Sequence, residues 1–167
     1  MSGISACGST PAVPAVPSMP SLPPPPPPCT TPEPVTVTLS GSSRLNPGEH
    51  GEALATVVRI YQLKGRDKMS SASFDEILDH DKDVLGEDML AVVEATISPG
   101  ETVKPPVARN AEAGYLAVVA LFRKPGPAGW RAVTKLPSPN ALFCHVAPGK
   151  SKTETRFFLD ENRVEQR

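Results

Sequence analysis

Twelve prolines fall between Pro11 and Pro34, six of them consecutive at 23–28, and such a segment can neither fill a helix nor occupy a central strand. Each proline fixes φ and removes a backbone donor, so the folded part of the chain must begin near Val35. The 27 residues at 8–34 favour polyproline II and read as a semi-rigid tether that could reach ~80 Å at about 3.1 Å per residue. The rival reading, a ligand for a proline-recognising groove, needs a flanking specificity residue that this segment does not show. Beyond it the 35–167 segment is long enough for one core and a sandwich of seven or eight strands.

Charge and hydropathy exclude two classes of partner. The net charge is −1, with 17 basic and 18 acidic residues spread along the chain, so no basic stripe exists to neutralise a phosphate backbone and nucleic acid is not expected. The longest apolar run, residues 116–122, is far short of the ~20 a spanning helix requires and suits a buried strand.

The strand pattern is clear at several places. Val35-Thr36-Val37-Thr38-Leu39-Ser40 alternates apolar and hydroxyl side chains, as a half-buried strand does. Residues 54–63, 89–97 and 115–123 are rich in Val, Ile and Leu, and the last is apolar enough to be central. Ser98-Pro99-Gly100-Glu101 is turn chemistry and predicts a hairpin between 89–97 and a short strand at 102–104. Pro125-Gly126-Pro127 breaks the chain before 130–136, where Trp130, Ala132, Thr134 and Leu136 share a face. Strands at 141–146 and 156–164 complete an eight-strand sandwich.

One segment departs from this pattern. Ser73 with Glu76 forms a capping box, Phe74, Ile77, Leu78, Asp81, Val84 and Leu85 follow at helical spacing, and Gly86 stands where a C-terminal cap belongs. A helix over 74–85 is predicted, inserted between the second and third strands. Asp79, Asp81 and Asp83 have the opening spacing of a calcium loop, but Val84 replaces its glycine and Leu90 its bidentate Glu, so a solvated helix face is the better reading. His50, His80 and His145 have no metal-ligand spacing, and Cys144 and His145 point to opposite faces of a strand. No phosphate loop, nucleophile elbow or paired-carboxylate motif occurs. Neither a cofactor, a small-molecule substrate nor an enzymatic activity is expected.

Two features point to function. Arg44-Leu45-Asn46-Pro47-Gly48-Glu49-His50-Gly51-Glu52 joins the first two strands, which are expected to pair with each other, is long for a hairpin connection, and carries an Asn-Pro turn at its base. It reads either as a mobile surface loop or as a fixed binding loop. Cys7 follows Ile4-Ser5-Ala6, the pattern cut and lipidated in bacterial lipoproteins. Short patterns of this kind also arise by chance, and only Met1 to Gly3 stand before this one.

Taken in order, Leu45-Asn46-Pro47, Arg59-Ile60-Tyr61-Gln62-Leu63, Phe74, Leu85-Gly86-Glu87-Asp88-Met89-Leu90, Pro99-Gly100-Glu101, Tyr115-Leu116-Ala117-Val118-Val119-Ala120 and Trp130-Arg131-Ala132-Val133 resemble the TssJ (SciN/VasD-type) lipoproteins of type VI secretion over residues 35–137. The resemblance implies an all-β, transthyretin-like two-sheet sandwich with a short helical insertion. It implies lipidation of Cys7 after a residual signal segment at 1–7, and attachment to the periplasmic face of the outer membrane. It further implies that the loop of Arg44, Leu45, Asn46, Pro47, Gly48, Glu49, His50, Gly51 and Glu52 binds the periplasmic C-terminal domain of a TssM-like inner-membrane protein. Residues 138–167 fit the resemblance poorly. A cell-surface sandwich for adhesion or ligand binding is the alternative, disfavoured by only eight aromatic residues. An enzyme on the transthyretin fold is a third, for which the chain ending lacks the Tyr-Arg-Gly-Ser sequence.

Overall fold

A computed structural model describes residues 34–127, 129–137 and 153–167. The proline tether with Cys7 and Cys29, and the expected strand at 141–146 with Cys144 and His145, lie outside the described residues. The elements run β1 (Val35–Gly41), β2 (Thr56–Leu63), α1 (Asp67–Ser71), α2 (Phe74–Leu85), a 3-10 turn (Gly86–Asp88), β3 (Met89–Ile97), β4 (Thr102–Val103), β5 (Tyr115–Ala120), β6 (Arg131–Lys135), β7 (Thr153–Asp160) and β8 (Arg163–Gln166). Two four-stranded sheets result, ordered β4-β1-β7-β8 and β3-β2-β5-β6. This is the all-β sandwich with a helical insertion between its second and third strands.

Side-chain periodicity explains which faces meet. Val35, Val37 and Leu39 of β1 are buried, and β1 pairs in parallel with β7 so that Leu39 lies beside Phe157. In the facing sheet Val58 and Ile60 of β2 pair with Ala120 and Val118 of β5. Leu116, Ala117, Val118, Val119 and Ala120 are all fully buried. An unbroken apolar strand requires cover on both faces, and β5 has it: the other sheet on one side, the helical insertion on the other.

The insertion is fastened by polar contacts that read directly onto the strands. Ser73 caps α2, its hydroxyl accepting from the Glu76 amide at 3.3 Å while the Glu76 carboxylate accepts from the Ser73 amide at 2.7 Å. That amide holds the Glu76 carboxyl below its ordinary range. Gly86 takes φ 52° at the other end, a conformation that glycine adopts without a Cβ clash. Within α2, His80 is non-helical, and the Arg59 guanidinium donates to the carbonyls of Ile77 and Leu78 at 3.2 and 3.1 Å, supplying donors where the helix ladder is interrupted. The fully buried Tyr61 donates its hydroxyl to Asp81 at 2.8 Å. Burial, and then that bond, push the Tyr61 hydroxyl far above its usual range. Asp81, which helical spacing placed among the apolar positions, is thus the polar anchor of the stripe. Arg131 donates to the carbonyls of Ser70 and Ala72, and Phe74 meets Trp130 edge to face at 5.4 Å between centroids.

Three expectations are corrected. The 98–101 turn does not make a hairpin: β3 lies in one sheet and β4 in the other, where Val103 pairs with Leu39. Turn residues dictate that the chain reverses, not which strand it then meets. Here Gly41 donates to the Glu101 carbonyl at 2.9 Å and Gly100 to the Ser42 carbonyl at 3.1 Å, hooking the corner onto β1. Second, the expected strand at 156–164 is two strands, β7 and β8, folded about Glu161 at φ 50° and Asn162, and β7 begins at Thr153. Third, β1 and β2 are not paired neighbours, so the 44–52 loop crosses from one sheet to the other.

Candidate functional site

Crossing between sheets makes the 44–52 loop part of the sandwich end. It lies there with the 98–101 corner, the β5–β6 connection and the β7–β8 turn. Its first residues are structural. Leu45 is fully buried and its carbonyl accepts from Leu54 at 2.9 Å. Gly41 makes room for it, because a Cβ there would sit 3.1 Å from a Leu45 methyl and 3.0 Å from the Ser98 carbonyl. Asn46 is 5 % exposed and adopts φ 47°, a left-handed conformation that asparagine tolerates better than most residues. Its side chain donates to the Ala55 carbonyl at 3.1 Å and accepts from the Arg123 amide at 2.9 Å, while its own amide donates to the Glu161 carbonyl at 2.8 Å. One residue therefore ties three connections together.

Charged pairs brace the flanks. Arg44 reaches Asp160 and Glu161, each at 3.0 Å, and Arg123 pairs with Glu49. Arg44 is two-thirds exposed, so these pairs orient more than they stabilise. The tip closes on itself: Gly48 donates to the Glu52 carbonyl at 2.8 Å, His50 donates to the Glu52 carboxylate at 3.0 Å, and Gly51 takes φ 84°. Glu49, His50, Gly51 and Glu52 are exposed, whereas Pro47 and Gly48 are half-buried. The nine expected site residues thus comprise an exposed flank residue, Arg44, a buried anchor, Leu45 and Asn46, a half-buried neck, Pro47 and Gly48, and an exposed tip, Glu49 to Glu52.

Sequence reasoning did not connect Arg123, Asp160 and Glu161 to this loop. Nothing along the chain marks them, because each lies more than 70 residues away and acts only through the shared end of the sandwich. An open cleft of about 400 Å³ lies between Arg44, Gly126, Pro127, Gly129 and the 160–163 turn, lined by both signs of charge. Among the described residues no group of three His, Cys, Asp or Glu is placed to hold a metal ion, and no helix is long and apolar enough to cross a membrane.

The family model described as T6SS-SciN, the type VI secretion lipoproteins VasD, EvfM and TssJ, matches residues 33–162. The chain belongs to this family. The match continues past residue 137, through β7 and into the β7–β8 turn, so β7 lies within the family match and is not an addition to it. Three solved structures share the architecture. The T6SS lipoprotein TssJ1 from Pseudomonas aeruginosa is 23 % identical, with a TM-score of 0.69 over 82 % of this chain and 96 % of that one. Serratia marcescens Lip, described as a membrane bound component of the type VI secretion system, is 17 % identical with a TM-score of 0.67, over 80 % and 96 %. A chain of the structure described as the T6SS protein TssM C-terminal domain from EAEC is 24 % identical with a TM-score of 0.64, over 80 % and 99 %. At these identities the likeness is one of fold. No curated protein matches the sequence. The chain thus shares with solved members of the type VI secretion lipoprotein family a sandwich of two four-stranded sheets.

Proposed function

We propose that this protein is a periplasmic lipoprotein, anchored to the outer membrane through Cys7, that scaffolds the type VI secretion membrane complex. Its partner is the periplasmic C-terminal domain of a TssM-like inner-membrane protein, and its docking surface is the exposed tip of the 44–52 loop. The observation that carries this reading is the division of that loop. Asn46 holds the base through three hydrogen bonds while Glu49 to Glu52 stay exposed, so a partner meets a surface already ordered and loses little entropy on binding. The description of one structural neighbour names the TssM C-terminal domain, which supports the choice of partner. Residues 8–34 act as the arm that holds the sandwich, residues 35–167, away from the bilayer.

A loop of this size buries a low-end interface, so the dissociation constant is expected near the micromolar range, ~1 μM or tighter. Replacing residues 48–52 with a Gly-Ser segment of equal length should weaken calorimetric binding to the TssM periplasmic domain by at least about tenfold. The melting temperature should barely move, because Leu45 and Asn46 are kept. Unchanged affinity would transfer the docking surface to the helical insertion. The anchor is tested separately. In cells that process lipoproteins, and with a signal peptide supplied, the protein should incorporate palmitate and fractionate with the outer membrane. Cys7→Ser should remove both properties, and labelling that survives this change excludes Cys7 as the attachment point.

A further inference from the structure

The strand edges of this sandwich are protected unequally. In the first sheet β4 has two residues and is followed by Pro105 and Pro106, which cannot donate to a ladder. At the opposite side β8 lies against β6. Val164 donates to the Gly129 carbonyl at 2.7 Å and Gln166 to the Thr134 hydroxyl at 3.0 Å, so these two edges shield each other. The remaining edge is β3, with nine residues and neither proline, glycine nor lysine. Its one charge, Glu94, is matched by Arg59 of β2 at 2.7 Å. Among the described residues no strand pairs with its outer side. Ala91, Val93 and Ala95 on its core face are only half-buried, and Val92 is 39 % exposed on the other. A long apolar edge without a blocking device is a template for another strand.

We propose that β3 is a self-association edge, at which a second copy of this chain pairs antiparallel about a two-fold axis through Val93. That axis pairs all nine residues of the strand and is self-complementary. Ala91 faces the second copy's Ala95, Leu90 faces Thr96, and Glu94 faces Val92, so no two carboxylates meet. Pairing about Glu94 would oppose two glutamates. The two β3-β2-β5-β6 sheets become one sheet of eight strands. Growth stops there, because the far edge of each is shielded by β8.

Val92 decides the test, because it is exposed and faces Glu94 of the second copy. Sedimentation equilibrium of the full chain, at concentrations up to about 100 μM, should show a reversible dimer. Val92→Glu sets carboxylates opposite one another at two symmetric places and should weaken dimerisation at least about tenfold, whereas Val92→Lys sets an ammonium against Glu94 and should preserve or tighten it. Each variant should keep the wild-type melting profile. A wild-type chain that is monomeric throughout this range overturns the proposal. So does equal dimerisation of the two variants, which would place Val92 outside the contact. A chain that stays monomeric but accepts a strand from another protein overturns it as well.

Discussion

Val118→Asp is expected to abolish folding. Val118 is fully buried at the centre of β5, between Ile60 of β2 and Ala132 of β6, on the face that meets the other sheet. An aspartate there is ionised without a partner or protonated without an acceptor, and either state costs several kcal/mol. A domain of this size has a total stability of about 5–15 kcal/mol, so one such group removes most or all of it. Val118→Ala removes two carbon atoms and should cost only about 2–3 kcal/mol, through lost burial and a small cavity. Circular dichroism and urea unfolding compare the two. A cooperative melt from the aspartate variant would show that Val118 has a route to water.

The second large effect is expected at Asn46. Asn46→Ala leaves the Ala55 carbonyl and the Arg123 amide without partners and sets an alanine at φ 47°. Two orphaned, part-buried groups cost about 2–4 kcal/mol together, which for this domain lowers the melting midpoint by about 10 °C. Asn46→Asp keeps the acceptor for Arg123 but loses the donor to Ala55, so its melting point should fall between alanine and wild type. The same series should loosen the loop, with limited proteolysis cutting near residues 48–52 faster in the order wild type, aspartate, alanine. If all three proteins melt and are cut alike, Asn46 does not hold the loop.

Asn46 also shows where reading the chain alone goes astray. An Asn-Pro turn in a long connection signals a restrained loop, and that much is local. The two carbonyl and amide partners come from residues 9 and 77 positions away, and neither has a signature of its own. A residue counted among surface contacts therefore proves to be a buried bracket. Tyr61 and Asp81 teach the converse. An acid at an apolar helix position looks like an interruption, yet it is the acceptor that lets a buried tyrosine hydroxyl lose its water.

The amphipathic spacing of 74–85 and its capping box determined α2 to the residue, because helix start and stop signals lie within the helix they bound. The alternation of β1 and the unbroken apolar run of β5 likewise determined strands, since period and burial are properties of a few neighbouring residues. The proline segment set where the fold begins for the same reason. Sheet membership was decided only in three dimensions. Ser98-Pro99-Gly100-Glu101 can close a hairpin or turn a corner with the same dihedral angles, and β4 joined β1 because β1 offered it a free edge and two hydrogen bonds at the corner. The parallel pairing of β1 with β7 spans more than 100 residues, and no local pattern encodes a partner at that distance. Backbone donors and acceptors are the same in every strand, so which edges meet depends on how the buried faces of the whole chain can be closed at once.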